Sequence, residues 1–364
     1  MGKVRKCVVR TLMVVNALAI ILLLLVGNAD RLVPESHPLL CNAGLLFPAV
    51  LILNIVFLVL WTLLRPRCLW LPVLGLLLSY GPLSRYAPVN RPSAPPHGAI
   101  KVLSWNVCMF QGDTPGDDGQ GAMTRYLLRE EADIVCLQEA LPGVGDGAPV
   151  SVLRQNYPHV DVTRKNDSGS ACMVLVTRYP IVSKELIPYE SQGNMSVEYV
   201  LSIDGQRVCL VANHLETNGL SVEDKNNMGH IASGKVTFGS AKGNLSRLKR
   251  KVSQAAVKRA PQARMVSDQI QRRLREGMPV IVVGDFNDTP ISYAHRTIAR
   301  GLSDCYAASG LGPGFSYCSN GIWVRIDHML CSDFFKPYGA KVDKTVELSD
   351  HYPISCWLEM RPKP

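Results

Sequence analysis

Val280-Ile281-Val282-Val283-Gly284-Asp285-Phe286-Asn287-Asp288 is the stretch whose reading decides the fold. Four consecutive branched apolar residues read as a strand covered on both faces, the kind found inside α/β layers. Gly284 lets the backbone turn sharply where the strand ends. Asp285 and Asn287 are alternate residues, so carboxylate and amide face one centre. An Asp/Asn turn follows many strands, and this stretch alone does not establish a site.

Working outward, comparable runs occupy Ile100–Trp105, Ile134–Leu137, Ala171–Val176, Val197–Ile203, Arg207–Asn213, Arg325–Leu330 and Ile354–Leu358. Helical segments are expected at Ala122–Glu131, Val150–Arg154, Lys258–Arg275 and Ser292–Arg300. Adjacent strands mixed with strand–helix units predict an α/β layered domain over residues 99–364. No internal repeat is visible.

The ends of these runs carry the chemistry. Asn106 follows Ser104-Trp105, Glu139 follows Leu137-Gln138, His214 follows Asn213, Asp327 follows Ile326, and Asp350-His351 follow Ser349. Each alone has a bland reading as a strand-end charge or a structural histidine. Together they gather hard oxygen ligands and two histidines at one sheet edge, as metal-assisted phosphoryl chemistry requires. Asp350 and His351 are adjacent and point apart, so the acid suits a metal and the imidazole a phosphoryl oxygen or a proton. Asp327 is the candidate to hold His351 in one tautomer.

Charge is unevenly spread. Residues 1–99 hold 9 Lys/Arg against 2 Asp/Glu, and residues 100–364 hold 30 against 28. The basic balance belongs to the N-terminal region and is not a nucleic-acid signature of the whole chain. Thr11–Gly27, Ala43–Leu64 and the shorter Cys68–Leu83 are apolar. Spanning a bilayer takes roughly 20 helical residues, and three transmembrane helices are expected within residues 1–84. The first run lacks the small-residue cleavage site of a signal peptide. Lys3, Arg5, Lys6 and Arg10 precede it, Arg65 and Arg67 separate the second and third runs, and only Arg31 lies between the first and second. The positive-inside rule then puts the N-terminus and the Arg65 turn in the cytoplasm and the catalytic domain outside; without a third span the domain would be cytoplasmic. Residues 85–98 form a Pro-rich linker, read as an extended spacer. None of the 11 cysteines forms a CxxC pair. Cys136, Cys209, Cys331 and Cys356 read as buried thiols, and Cys305 and Cys318 could bridge in an oxidising compartment.

Residues 221–275 hold 13 Lys/Arg against 3 Asp/Glu. Asn226–Asn244 reads as a long loop, followed by Lys249-Arg250-Lys251 and a helix. One reading is a basic arm attracting a phosphate-bearing polymer or an anionic membrane; the other is a solvated helix face behind an insertion. Phe238 is the only aromatic residue in the arm, which weakens a base-stacking groove.

The set SWN, LQE, TRYPI, NHLE, GDFNDTP, IDHML and SDHYPI, in that order over about residues 99 to 360, resembles the endonuclease/exonuclease/phosphatase superfamily, which includes deoxyribonuclease I and neutral sphingomyelinases. It looks closest to bacterial membrane-anchored members. The resemblance implies a four-layer α/β/β/α sandwich of the deoxyribonuclease I type behind a short transmembrane region, with the site at one end of two packed sheets. It implies Mg²⁺, with Mn²⁺ as a substitute, on Asn106 and Glu139, and Asp350 as a further ligand; one or two ions remain open. It also implies that Asp285 orients or deprotonates the attacking water and that Asn287 binds the phosphate or positions that water. His214 and His351 would contact non-bridging oxygens, one of them protonating the leaving oxygen, with Asp327 orienting His351. The implied activity is hydrolysis of a phosphate ester, a phosphodiester first, at a membrane-tethered site. Its substrate would be a lipid headgroup or a nucleic acid, with no obligate protein partner. Alternatives are a nuclease on DNA or RNA and an inactive membrane-bound binding module; a competent residue at every catalytic position argues against the latter. His214 stands where abasic-site endonucleases carry Tyr, which sets that subfamily aside. Specificity is expected in loops 111–121, 143–149, 166–170 and 221–257.

Overall fold

The strand read from Val280 to Val283 extends to Asp285 and lies inside a six-stranded sheet. A computed structural model describes residues 2–114, 120–141, 148–165, 172–221, 223–224, 226, 238–319 and 321–361. Its first sheet orders β13 (Phe335–Val342), β14 (Ile354–Met360), β1 (Ile100–Asn106), β2 (Ile134–Gln138), β4 (Cys172–Thr177) and β3 (His159–Arg164). The second orders β5 (Ile181–Leu186), β6 (Met195–Ile203), β7 (Gln206–His214), β8 (Val280–Asp285), β12 (Asp327–Cys331) and β9 (Ser303–Asp304). A hairpin of β10 (Tyr317–Ser319) and β11 (Ile322–Val324) stands beside them.

Alternation along each strand sends side chains to two cores. Val102, Cys136, Leu175, Leu210, Ile281, Val283 and Met329 meet between the sheets. Leu103, Trp105, Val135, Leu137 and Val174 face outward beneath α5 (Ala122–Arg129) and α6 (Pro149–Asn156). On the opposite side Val211, Val280, Val282 and Leu330 pack under α7 (Phe238–Arg275) and α8 (Tyr293–Ile298), against Ala263, Val266, Ile270 and Ile298. Each such buried aliphatic side chain contributes about 1.5–3 kcal/mol. The result is the expected α/β/β/α sandwich.

Several elements differ from expectation. Strands β3, β5 and β13 were not read from the sequence; β5 is largely exposed and β13 contains Pro337 and Gly339, so neither shows a continuous apolar run. Helix α7 begins 20 residues before Lys258, at Phe238, so the end of the expected Asn226–Asn244 loop is helical. Residues 115–119, 142–147, 166–171 and 227–237, which take in part of each expected specificity loop and all of 166–170, lie outside the described residues. Cys305, on α9 (Cys305–Ser309), is buried beside Cys331 and Cys356; it is a free thiol, as is Cys318, so the two do not bridge.

At the N-terminus α1 (Gly2–Gly27) packs on α2 (Phe47–Leu64) and α3 (Trp70–Leu78). Two helical stretches, Val4–Arg31 and Cys41–Leu64, are long and apolar enough to cross a membrane. The third apolar run differs from the expected single span: it breaks at Ser79 into α3 and α4 (Tyr80–Tyr86). Pro82 has no N–H for the Leu78 carbonyl, and its ring crowds that carbonyl. Polar side chains join the first two helices: Asn54 Nδ2 donates to the Ala19 carbonyl (3.1 Å) and Trp61 Nε1 to Asn16 Oδ1 (3.0 Å).

The helices are seated on the α/β domain. Ile291 is buried among Leu23, Val26, Phe47 and Val50. Arg85 Nη1 donates to the buried Asp30 Oδ2 at 2.6 Å, and Arg296 approaches the same oxygen at 3.7 Å. In the Pro-rich segment, Asn90 Nδ2 donates to the carbonyls of Ala307 (3.0 Å) and Gly310 (2.9 Å), and Val89 bridges to Leu311. The first residues of the expected spacer therefore lie against the domain.

Candidate active site

Strand register builds the site. In the second sheet His214 lies opposite Asp285 across the parallel β7–β8 pair, and Asp285 lies opposite Asp327 across the antiparallel β8–β12 pair. Three polar residues thus stand in one row at one sheet edge: His214 and Asp285 close their strands, while Asp327, expected at a strand end, opens antiparallel β12. In the first sheet Asn106 pairs with Gln138, and Glu139 follows one residue later. Gly284 has φ +127°, and a Cβ there would sit 2.0 Å from the Asn213 carbonyl oxygen. Only glycine allows β7 and β8 to approach this closely before the chain turns. Glu139 and Asn287 adopt left-handed φ values of 53° and 51°, conformations that concentrate at functional sites.

The two rows meet through one amide. Asn106 Nδ2 donates to Glu139 Oε1 and to Asp285 Oδ2, each at 3.2 Å. Its Oδ1 accepts from the Cys108 backbone N–H at 3.1 Å. The Asn106 amide thus stands between the two carboxylates. His214 Nε2 stands 3.6 Å from Glu139 Oε1 and 3.9 Å from Asp285 Oδ2. His351 Nε2 stands 3.7 Å from the same Asp285 oxygen, while its Nδ1 lies 2.8 Å from Asp327 Oδ2. The Asn287 backbone N–H donates to Asp285 Oδ1 at 2.7 Å, and its side-chain amide donates to Asp285 Oδ2 (3.3 Å) and the Leu215 carbonyl (3.0 Å). Asp350 is half-buried next to His351, and its backbone carbonyl accepts from the Cys318 N–H at 3.0 Å.

Burial and the neighbouring Asp327 carboxylate push the Asp285 carboxyl up to about 6; His351 and His214 pull the other way. Burial pulls His351 down, but Asp327 and Asp285 outweigh it and raise the imidazole to about 10. A buried carboxylate poised near neutrality beside a cationic imidazole is an acid–base pair.

Other residues brace this edge. Trp105 Nε1 donates to the His351 carbonyl (2.8 Å) and Ser349 Oγ to the Asn106 carbonyl (2.8 Å). Arg259, 1% exposed within the basic stretch, binds Asp288 Oδ2 (3.1 Å) and the Glu216 carbonyl (2.6 Å). Net charge gave no hint that this arginine is scaffold while its neighbours are solvated. His295, Asp304 and His328 form a second buried group behind Phe286. His295 Nε2 lies 3.1 Å from Asp304 Oδ2 and His328 Nε2 lies 2.8 Å from the Asp288 carbonyl, while the buried His295 Nδ1 has no hydrogen-bond partner among the described residues. Although Asp304 is buried, His295 and Arg325 hold it well below the usual carboxylate range; burial and the nearby His295 and Arg325 charges keep His328 neutral. We read this group as a brace for the loop after β8.

The profile of the Endonuclease/Exonuclease/phosphatase family matches residues 103–351. A profile described as a domain of unknown function (DUF8431) matches residues 9–86. No curated relative matches the chain. Three solved structures show the likeness of fold. Truncated Caenorhabditis elegans TDP2 aligns with TM-score 0.51 and 16% identity over 72% of this chain and 98% of that one. D. rerio TDP2 complexed with single strand DNA product gives 0.50 and 16% over 72% and 100%. The human Nocturnin catalytic domain with bound sulfate anion gives 0.50 and 16% over 74% and 100%. All eight expected site residues fall inside the matched profile, and the chain belongs to the Endonuclease/Exonuclease/phosphatase family.

Proposed function

We propose that the protein is a membrane-tethered, Mg²⁺-dependent phosphoesterase that hydrolyses a phosphodiester by in-line attack of water. The observation that carries this reading is the row His214–Asp285–Asp327, tied to Glu139 of the facing sheet through one Asn106 amide. The donor set fits a hard divalent cation. Two carboxylates share one amide donor with a third behind them; burial and then the Asp327 carboxylate raise Asp285, and a cation beside the group relieves both effects. Glu139, with Asp350 on the adjoining turn, would hold Mg²⁺, or Mn²⁺ in its place, and Asn106 would fix Glu139 and Asp285. When bound, the cation supplies neutralisation of charge on the phosphoryl oxygens.

The chain's own groups do the rest. Asp285 accepts a proton from the attacking water, and the Asn287 amide beside it fixes that water or a phosphate oxygen. The water oxygen joins phosphorus and one P–O ester bond breaks. His351 or His214 delivers a proton to the leaving oxygen, giving a phosphomonoester and an alcohol. Asp327 keeps His351 in the tautomer that presents Nε2 to the substrate.

The membrane reading draws support from the two long apolar helices. Arg5, Lys6, Arg65 and Arg67 share one cavity at the far end of the helices from the catalytic domain, as a cytoplasmic end requires. In this reading α3 and α4 together return the chain across the bilayer, and the catalytic domain lies on the other side. A second reading, a nuclease, is favoured by the basic face of α7 and by the DNA product in the D. rerio TDP2 structure. The test is turnover of bis(p-nitrophenyl) phosphate and of DNA oligonucleotides with Mg²⁺ and with EDTA. Mg²⁺-dependent release of p-nitrophenol is expected; metal-independent turnover, or none, would overturn the reading.

A further inference from the structure

Resting on the phosphoesterase reading, we propose that the substrate is a phosphate ester carried by a membrane lipid, and that it reaches the catalytic edge through a groove between the segment joining α1 to α2 and the basic helix α7.

The catalytic loop is fastened to the membrane helices. Ile291, four residues after Asn287, is 1% exposed and packs against Leu23, Val26 and Phe47. Arg85 of α4 donates to the Pro290 carbonyl at 3.4 Å. Gly44 approaches Ile291 so closely that a Cβ would lie 2.2 Å from its carbonyl oxygen. Four residues reach at most about 14 Å, so the catalytic edge lies close to the ends of the apolar helices. A headgroup layer adds roughly 5–8 Å to each side of the hydrocarbon, which brings a lipid phosphate near that distance.

A cavity of about 1320 Å³ opens beside this loop. Pro38 and Leu39 form its membrane-side wall, Asn218 its inner wall, and Lys249, Arg250 and Lys258 the wall on α7. Asn218 Nδ2 donates to the Asn287 carbonyl at 3.1 Å, so the inner wall is one hydrogen bond from the phosphate-positioning residue. Lys258 approaches Glu216 at 3.5 Å and Lys251 pairs with Asp224 at 2.5 Å. Lys249 and Arg250 are exposed and form no ion pair with a described residue. They are free to meet a phosphate anion.

The membrane-side rim is apolar. Leu39 is 66% exposed, and Leu40, Leu45 and Leu46 on the same segment are also exposed, leading directly into α2. Apolar surface left in water is unfavourable, and a leaflet covers it. An apolar rim followed by free cations and then a catalytic edge matches an amphiphile with its phosphate at the polar end. A nucleic acid makes no use of the leucines, and no aromatic side chain among the described residues lines the groove for base stacking.

The test uses the full-length protein purified in detergent. Turnover of bis(p-nitrophenyl) phosphate is compared with turnover of vesicles of phosphatidylcholine, phosphatidylethanolamine, phosphatidylglycerol and sphingomyelin, and of single-stranded DNA. Vesicle lipid should be hydrolysed faster than DNA. Leu39→Asp and the double variant Lys249→Glu/Arg250→Glu should each lower the ratio of lipid to soluble-diester turnover at least tenfold, with an unchanged thermal midpoint as proof of folding. Soluble-diester turnover without lipid turnover, faster turnover of DNA, or an unchanged ratio in both variants would overturn the lipid assignment while leaving the phosphoesterase intact. Absence of turnover on every substrate would remove the phosphoesterase reading itself.

Discussion

Asp327 and His351 are joined by a 2.8 Å contact between Oδ2 and Nδ1, which leaves the far ring nitrogen facing Asp285. The imidazole thereby lies between two carboxylates. Asp327→Asn keeps the shape and removes the charge. Loss of such an orienting partner typically costs 10–100-fold, and we expect kcat on bis(p-nitrophenyl) phosphate to fall by about that factor with KM little changed. Steady-state kinetics equal to wild type would remove Asp327 from the site.

The pH profile carries a signed prediction. In the proposed mechanism Asp285 must be ionised to accept a proton, so activity is lost as pH falls through its pKa, about 6. A bound cation moves that limb lower. His351 must be protonated to donate, so activity is lost as pH rises through its pKa, near 10. The Asp327 carboxylate raises both groups. Asp327→Asn should therefore move both limbs of kcat/KM towards lower pH. Structural damage alone would lower the plateau without that common shift.

Glu139→Gln separates metal binding from folding. The Glu139 side chain is 33% exposed, and a glutamine oxygen can still accept from Asn106. The variant should keep its thermal midpoint, lose at least about 10²-fold in activity, and need more Mg²⁺ for half-maximal rate. EDTA should abolish the wild-type activity. A variant with wild-type rate and Mg²⁺ dependence would refute the assignment of Glu139 to the cation.

The site was more legible in the sequence than the elements around it, for a physical reason. Val280–Val283 and Ile134–Leu137 are central strands buried on both faces, so their apolar runs are continuous and the polar residue that ends each one stands out. Edge strands such as Ile181–Leu186 bury little and leave no such mark. In α7, Gly239 and Gly243, both poor helix formers, hide the start of a 38-residue helix. Pro82 was a readable signal for the break at Ser79, because a proline four residues beyond Leu78 cancels that carbonyl's helical bond. Arg259 could not have been singled out, since its burial depends on the loop carrying Asp288 lying against α7, a contact 29 residues away in the chain.

The seam between helices and catalytic domain makes a final prediction through glycine. At Gly44 a methyl group would fall 2.2 Å from the Ile291 carbonyl oxygen. Backbone lies on both sides of that contact, so no side-chain rotation relieves it, and either residues 41–46 or the loop after β8 must move. Overpacking of this kind costs about 1–3 kcal/mol. Gly44→Ala should lower the thermal midpoint of the full chain by several degrees and reduce soluble-diester turnover, because Asn287 sits on the displaced loop. Gly81 in α4 has nothing within 4 Å of the equivalent position, and Gly81→Ala should leave the midpoint unchanged or raise it slightly through better helix propensity. Thermal unfolding of both variants in the same detergent checks this. Equal midpoints would mean that the loop after β8 is not held against the N-terminal helices.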